Sequence, residues 1–198
     1  MIWRPKKPHL ILPGLSNEGS GPQAGDEDYQ PPGLCFLMGH RMMMAAAGGS
    51  VPAYRYFRLD FTALESGTEA KIGQIRWKEG ATVYPTVNMT SNTAPSPLVA
   101  LNSTSYASTW KVHDGDPASP DYNIAAHTSG WIQIDLGAGN EISPDSMDLT
   151  ASGSEAFRMP KTFTLRASND AFASEDVQLA APSDQTGWSN LETRNFAF

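Results

Sequence analysis

The feature that most constrains this chain is a succession of short alternating segments beginning at Tyr54. In YRYFRLDF, Tyr54, Tyr56, Arg58 and Asp60 alternate with Arg55, Phe57, Leu59 and Phe61. That is the period of two of a half-buried β-strand. AKIGQIRW, TVYPTVNM, GWIQIDLG, SMDLTASG and KTFTLRAS follow, and ETRNFAF closes the chain. Each is rich in Val, Ile, Thr or aromatics, and Gly, Pro, Asn, Asp and Ser separate them. Helical periodicity is weak throughout, and SPLVALNS holds at most two turns. Many short strands over about 145 residues predict an all-β sandwich or jelly roll.

The first fifty residues obey different physics. They hold five of the eight Met, six of the fifteen Pro and eight of the seventeen Gly, with four basic and four acidic side chains. The segment is neutral, and the rest of the chain carries the whole net charge of −7. Frequent prolines and the absence of a sustained period leave it no core of its own. It is nonetheless apolar at Ile2, Trp3, Leu10, Ile11, Leu12, Phe36 and Leu37 and at a cluster of Met. A segment that cannot bury itself is expected to bury against something else, and Met suits adaptable contacts. The predicted division is an extended anchoring arm, 1–52, and a β domain, 53–198. A floppy tail is the plainer alternative for the arm.

The acidic balance argues against a general nucleic-acid binder, which needs a Lys and Arg surplus to neutralise phosphate. Cys35 is the only cysteine, so an intrachain disulfide and a cysteine-rich zinc site are excluded. No apolar run reaches the roughly 18–20 residues that cross a bilayer as a helix, so no membrane insertion is expected. The stretch LCFLMGHRMMMAAAGGS begins about 35 residues too late for a secretory leader and is interrupted by His40 and Arg41. No nucleophile elbow, HExxH or phosphate loop occurs, and Cys35 has no positioned base, so an enzyme is not expected.

One acidic turn has the composition of a cation site. Asp114, Gly115, Asp116 and Ser119 bring together two carboxylates, a hydroxyl and nearby carbonyls, a donor set that suits Ca²⁺. An Asx-type turn that satisfies itself without metal is the alternative. Asn169-Asp170 reads as a hairpin turn, and Trp110 and Trp131 as core or rim packing.

Three segments in order, WKVHDGDPAS (110–119), SGWIQIDLG (129–137) and MPKTFTLRASND (159–170), resemble the discoidin, or coagulation-factor type C, family of galactose-binding-like domains. The family's closing strands resemble Arg55-Tyr56-Phe57-Arg58-Leu59 and Ile72-Gly73-Gln74-Ile75, which here precede the DGD turn. The domain therefore resembles a circularly permuted member, as in modules of bacteriophage tail and virion proteins. The likeness spans about 54–198. It implies a jelly-roll β-sandwich and a structural calcium held by Asp114, Asp116 and Ser119. The position of the family's additional Glu ligand carries Gln74, which removes one charge.

The resemblance further implies a sugar site at one end of the sandwich, with Arg158, just before the Pro-Lys strand, contacting sugar hydroxyls. Tyr122, Asn123 and His127, in the long loop after the DGD turn, and Glu155 would complete it. A guanidinium fork binds vicinal hydroxyls, and an aromatic face stacks on the apolar side of a pyranose. The expected function is a non-enzymatic bacteriophage virion protein, assembled in the host cytoplasm as a homo-oligomer. Its head would bind host surface glycan, strengthened by avidity, while residues 1–50 dock on other virion proteins. The alternative is a purely structural decoration or connector protein without a working sugar site.

Overall fold

In the computed structural model, residues 52–104, 108–118, 122–124 and 127–198 are described. The anchoring arm, but for Pro52, and Ser119 lie outside them. Ten strands form two antiparallel sheets, with two short 3₁₀ turns and no α-helix among the described residues. They are β1 (Tyr56–Leu64), β2 (Ala70–Glu79), β3 (Thr82–Tyr84), β4 (Val99–Asn102), β5 (Tyr122–Ile124), β6 (Gly130–Asp135), β7 (Ser146–Ala151), β8 (Pro160–Ser168), β9 (Val177–Ala180) and β10 (Thr193–Ala197). One sheet has the order β4-β6-β1-β8-β9; the other has β10-β7-β2-β3, with β5 also pairing β2.

The alternation expected of β1 holds over Tyr56–Phe61. Phe57, Leu59 and Phe61 are buried and meet Ile132, Ile134, Phe163 and Leu165 in one core with Ile72, Ile75, Trp77, Met147 and Leu149 of the other sheet. Packing the apolar faces of two sheets against each other is what removes these side chains from water. The pattern breaks at the start of the segment. Tyr54 is buried and bridges Ile142, while Arg55 turns out to pair with Asp135 at 2.6 Å.

β1 lies between β6 and β8, with Leu59 opposite both Ile132 and Leu165. Both ends of the described domain reach one short stretch. Tyr54 N donates to Ile142 O at 2.8 Å, and Phe198 N donates to Asp145 O at 3.0 Å.

On β2 the inward positions change parity, from Ala70 and Ile72 to Ile75 and Trp77. A register shift against β7 between Ile72 and Gln74 accounts for it, as a β-bulge does by adding one residue to one strand. Gly73 sits at that bulge, where a Cβ would lie 2.6 Å from the Ala151 carbonyl oxygen. Only glycine lets the two backbones approach so closely.

Three local details go beyond the sequence reading or correct it. SPLVALNS holds no helix: Val99–Asn102 is an edge strand paired with β6, where Ala100 gains a buried place beside Ile134. The TVYPTVNM strand stops at Tyr84, since Pro85 has no N–H with which to extend the ladder. Tyr122 and Asn123, assigned to a loop, belong to β5. Asn169-Asp170 does turn the chain between paired β8 and β9. There the Asp170 carboxylate accepts from Ser168 Oγ, Ser174 Oγ and the backbone N–H groups of Ala173, Ser174 and Glu175. Ser174 foremost among these donors holds its pKa well below the usual carboxylate range.

Candidate functional site

The connection from β1 to β2 and that from β7 to β8 lie together at one end of the domain. Glu65 N donates to Met159 O at 3.0 Å, and Ser66 N donates to Phe157 O at 2.8 Å. The Arg158 stem runs over Gly67, whose φ of +82° is open to glycine. Arg158 ends the short 3₁₀ turn Ala156–Arg158, and its guanidinium reaches two carboxylates. Nη1 lies 2.8 Å from Glu69 Oε2 and Nη2 lies 3.0 Å from Glu155 Oε1. The second Glu155 oxygen pairs with Lys71 Nζ. Two cations and two anions thus form a chain, Glu69–Arg158–Glu155–Lys71, in which each side chain is held by a neighbour.

Beside this chain stands Phe157. It is 46% exposed, and its ring centroid lies 5.6 Å from the Arg158 guanidinium carbon. An exposed aromatic ring beside fixed charged side chains sets an apolar surface next to hydrogen-bonding groups.

Of the expected sugar contacts, Arg158 and Glu155 are brought into direct contact. Asn123 stands opposite Lys71 in the β2–β5 register, and Tyr122 stands opposite Ile72. Positions alternate along a strand, so Asn123 lies on the sheet face of Lys71 and Tyr122 on that of buried Ile72. His127 is exposed, three residues before β6 begins. Glu69, Lys71 and Phe157 were missed by sequence reasoning. Phe157 is adjacent to Arg158 in AFRMPK, but nothing in a sequence pattern distinguishes an exposed ring from a core one.

A second aromatic–cation arrangement lies on the β4-β6-β1-β8-β9 sheet and closes on itself. The Arg58 guanidinium carbon sits 4.5 Å from the Trp131 ring centroid and 3.9 Å from that of Phe172. Its Nε and Nη2 donate to Gln133 Oε1 at 3.1 and 2.6 Å. Trp131 thus stacks with Arg58, whereas Phe157, over which Arg158 lies at 5.6 Å, is the most exposed aromatic ring among the described residues.

The acidic turn is knitted by hydrogen bonds. Gln74 Nε2 donates to Lys111 O at 3.0 Å and to Asp114 Oδ1 at 2.6 Å. Gln74 Oε1 accepts from Gly115 N at 3.1 Å. Asp116 N donates to Asp114 Oδ1 at 2.8 Å, and Ala118 N to Asp116 Oδ1 at 3.0 Å. These are the Asx-type bonds of a self-satisfied turn. Among the described residues no cluster of three or more His, Cys, Asp or Glu is gathered as a metal centre. At the calcium site expected from Asp114 and Asp116, the Gln74 amide N–H groups already occupy Asp114 Oδ1 and the Lys111 carbonyl, so a cation there would have to displace them.

Next to the turn, His113 is fully buried, with Nδ1 3.0 Å from Ile75 O. Nε2 has no hydrogen-bond partner among the described residues. Burial, and then the nearby Arg76 charge, lower its pKa to about 3, so at neutral pH the ring is uncharged and Nδ1 is the donor.

No family model, curated protein or solved structure matches this chain. A functional reading therefore rests on the residues and their geometry.

Proposed function

We propose that this chain is a non-enzymatic carbohydrate-binding protein of a bacteriophage virion. Its β domain is taken as a permuted jelly roll of the galactose-binding-like kind. The WIQID and KTFTLRAS strands flank the RYFRL strand, and the two ends of the domain approach residues 142–145, which is the physical condition for permutation. The observation that carries the sugar reading is the exposed Phe157 ring beside Arg158, itself fixed by Glu69 and Glu155. A neutral host glycan would stack on Phe157 and exchange hydroxyl hydrogen bonds with Arg158, Glu155 and Lys71, with Asn123, Tyr122 and His127 at the margin. An acidic domain disfavours polyanionic ligands at low salt, which points to neutral sugars. The virion placement, with residues 1–50 as the docking arm and many copies giving avidity, rests on the resemblance and on the apolar, neutral composition of that segment.

One observation favours the structural alternative. Arg158 is already engaged by two carboxylates, and those bonds tie the β1–β2 and β7–β8 connections together. On that reading the residues brace the end of a spacer domain. A glycan array probed with the full chain on a multivalent support separates the two. Retention of a neutral glycan, displaced by the free sugar, supports the binding reading; no retention on any glycan favours the structural one.

A further inference from the structure

We propose that Gln74 is a built-in substitute for a cation, so that the Asp114 turn is locked without metal. The argument begins with oxygens that converge on one point. The Lys111 carbonyl and the Asp114 carboxylate come within 3.0 and 2.6 Å of a single atom, Gln74 Nε2. Convergence of a backbone carbonyl and a carboxylate on one centre is what a hard cation exploits. Here the centre is an amide nitrogen with two hydrogens, and each oxygen takes one.

The orientation of the amide is fixed by its other end. Gly115 N donates to Gln74 Oε1, so a flipped amide would set N–H against N–H and oxygen against two oxygens. Gln74 is itself buried, and the Gly73 bulge beside it sets where it leaves the strand. Charge is met as well as geometry. Asp114 accepts from Asp116 N and lies in the field of Arg76, whose guanidinium is held at Pro85 O and Asn88 Oδ1. A divalent ion here would have to displace two hydrogen bonds and stand near a fixed positive charge.

The same geometry says what a one-atom change would do. Gln74→Glu replaces the donor with an oxygen facing a carbonyl and a carboxylate in a buried site. That repulsion is relieved by a cation, and with Asp114 and the Lys111 carbonyl the new carboxylate forms an oxygen cage.

The test is the melting temperature of the full chain, wild type and Gln74→Glu, in EDTA and in millimolar CaCl₂. Wild type is expected to melt at the same temperature in both, and titration calorimetry with CaCl₂ alone is expected to show no binding heat. Gln74→Glu is expected to melt several degrees lower in EDTA and to recover in CaCl₂. A wild-type melting temperature that rises with Ca²⁺ or falls with EDTA overturns the proposal. So does a folded Gln74→Glu variant indifferent to Ca²⁺. Failure of that variant to fold leaves the wild-type pair to decide.

Discussion

Phe57 and Trp77 join the two sheets, their ring centroids 4.9 Å apart and their planes tilted by 36°. Phe57 lies on the central strand of one sheet and Trp77 on the β2 strand of the other, and both are fully buried. Phe198 packs on the Trp77 ring at 6.3 Å, so one side chain ties together both layers and the end of the domain. Trp77→Ala should cost about 3–5 kcal/mol, the range for removing a buried aromatic without full collapse of the cavity. Urea unfolding of the full chain should show a lower midpoint with little change in slope. A midpoint equal to wild type would mean that the two layers are not joined there.

His113 makes stability depend on pH in a defined window. Its folded-state pKa is lowered to about 3, below the roughly 6.5 of an unfolded histidine. As pH falls below that value the unfolded chain takes the proton first. Stability is complete above it and declines towards pH 3, by about 1.4 kcal/mol per pH unit for one proton. Urea midpoints between pH 7 and pH 5.5 isolate this effect, because carboxylates titrate mainly below that range. His113→Gln should flatten the slope; an unchanged slope would assign it to other groups.

Much of the architecture was legible because strands advertise their buried faces. The alternation in β1 and the runs in β2, β6, β7 and β8 all became strands. What escaped was decided by side chains reaching between strands. Gln133 and Asp135 alternate as outward positions, yet they are only 3% and 8% exposed. The Arg58 and Arg55 side chains lie against them and hydrogen-bond them, and long arginine stems cover neighbouring surface. β5 has three residues, too few to show a period, and acquires its conformation from the β2 edge. Arg158 and Glu155 could be chosen from the resemblance. Their link through Lys71 and Glu69 could not, since it joins residues more than eighty positions apart. Gln74 was noticed as a missing charge; its amide's role became visible only with its three partners in place.

The Arg58 stack is specific to a planar cation. Phe172 adopts φ 65°, a conformation uncommon for a bulky residue, and the Arg58 guanidinium lies over both its ring and that of Trp131. Arg58→Lys should destabilise the full chain by about 1 kcal/mol, since an ammonium cannot stack on both rings and reach Gln133 with two donors. A double-mutant cycle with Phe172→Ala should return a coupling of about 0.5–2 kcal/mol. Strict additivity would show that the stack contributes nothing.

The central claim, that the Phe157–Arg158 end binds sugar, is tested most directly by glycan binding of Phe157 variants of the full chain in multivalent display. Phe157 is exposed, so its replacement should leave the melting temperature near that of wild type. Phe157→Ala is predicted to weaken glycan binding by roughly tenfold or more, the equivalent of at least about 1.4 kcal/mol, while Phe157→Tyr keeps it. Equal binding by Phe157→Ala and wild type, or no glycan bound by wild type, would contradict the account.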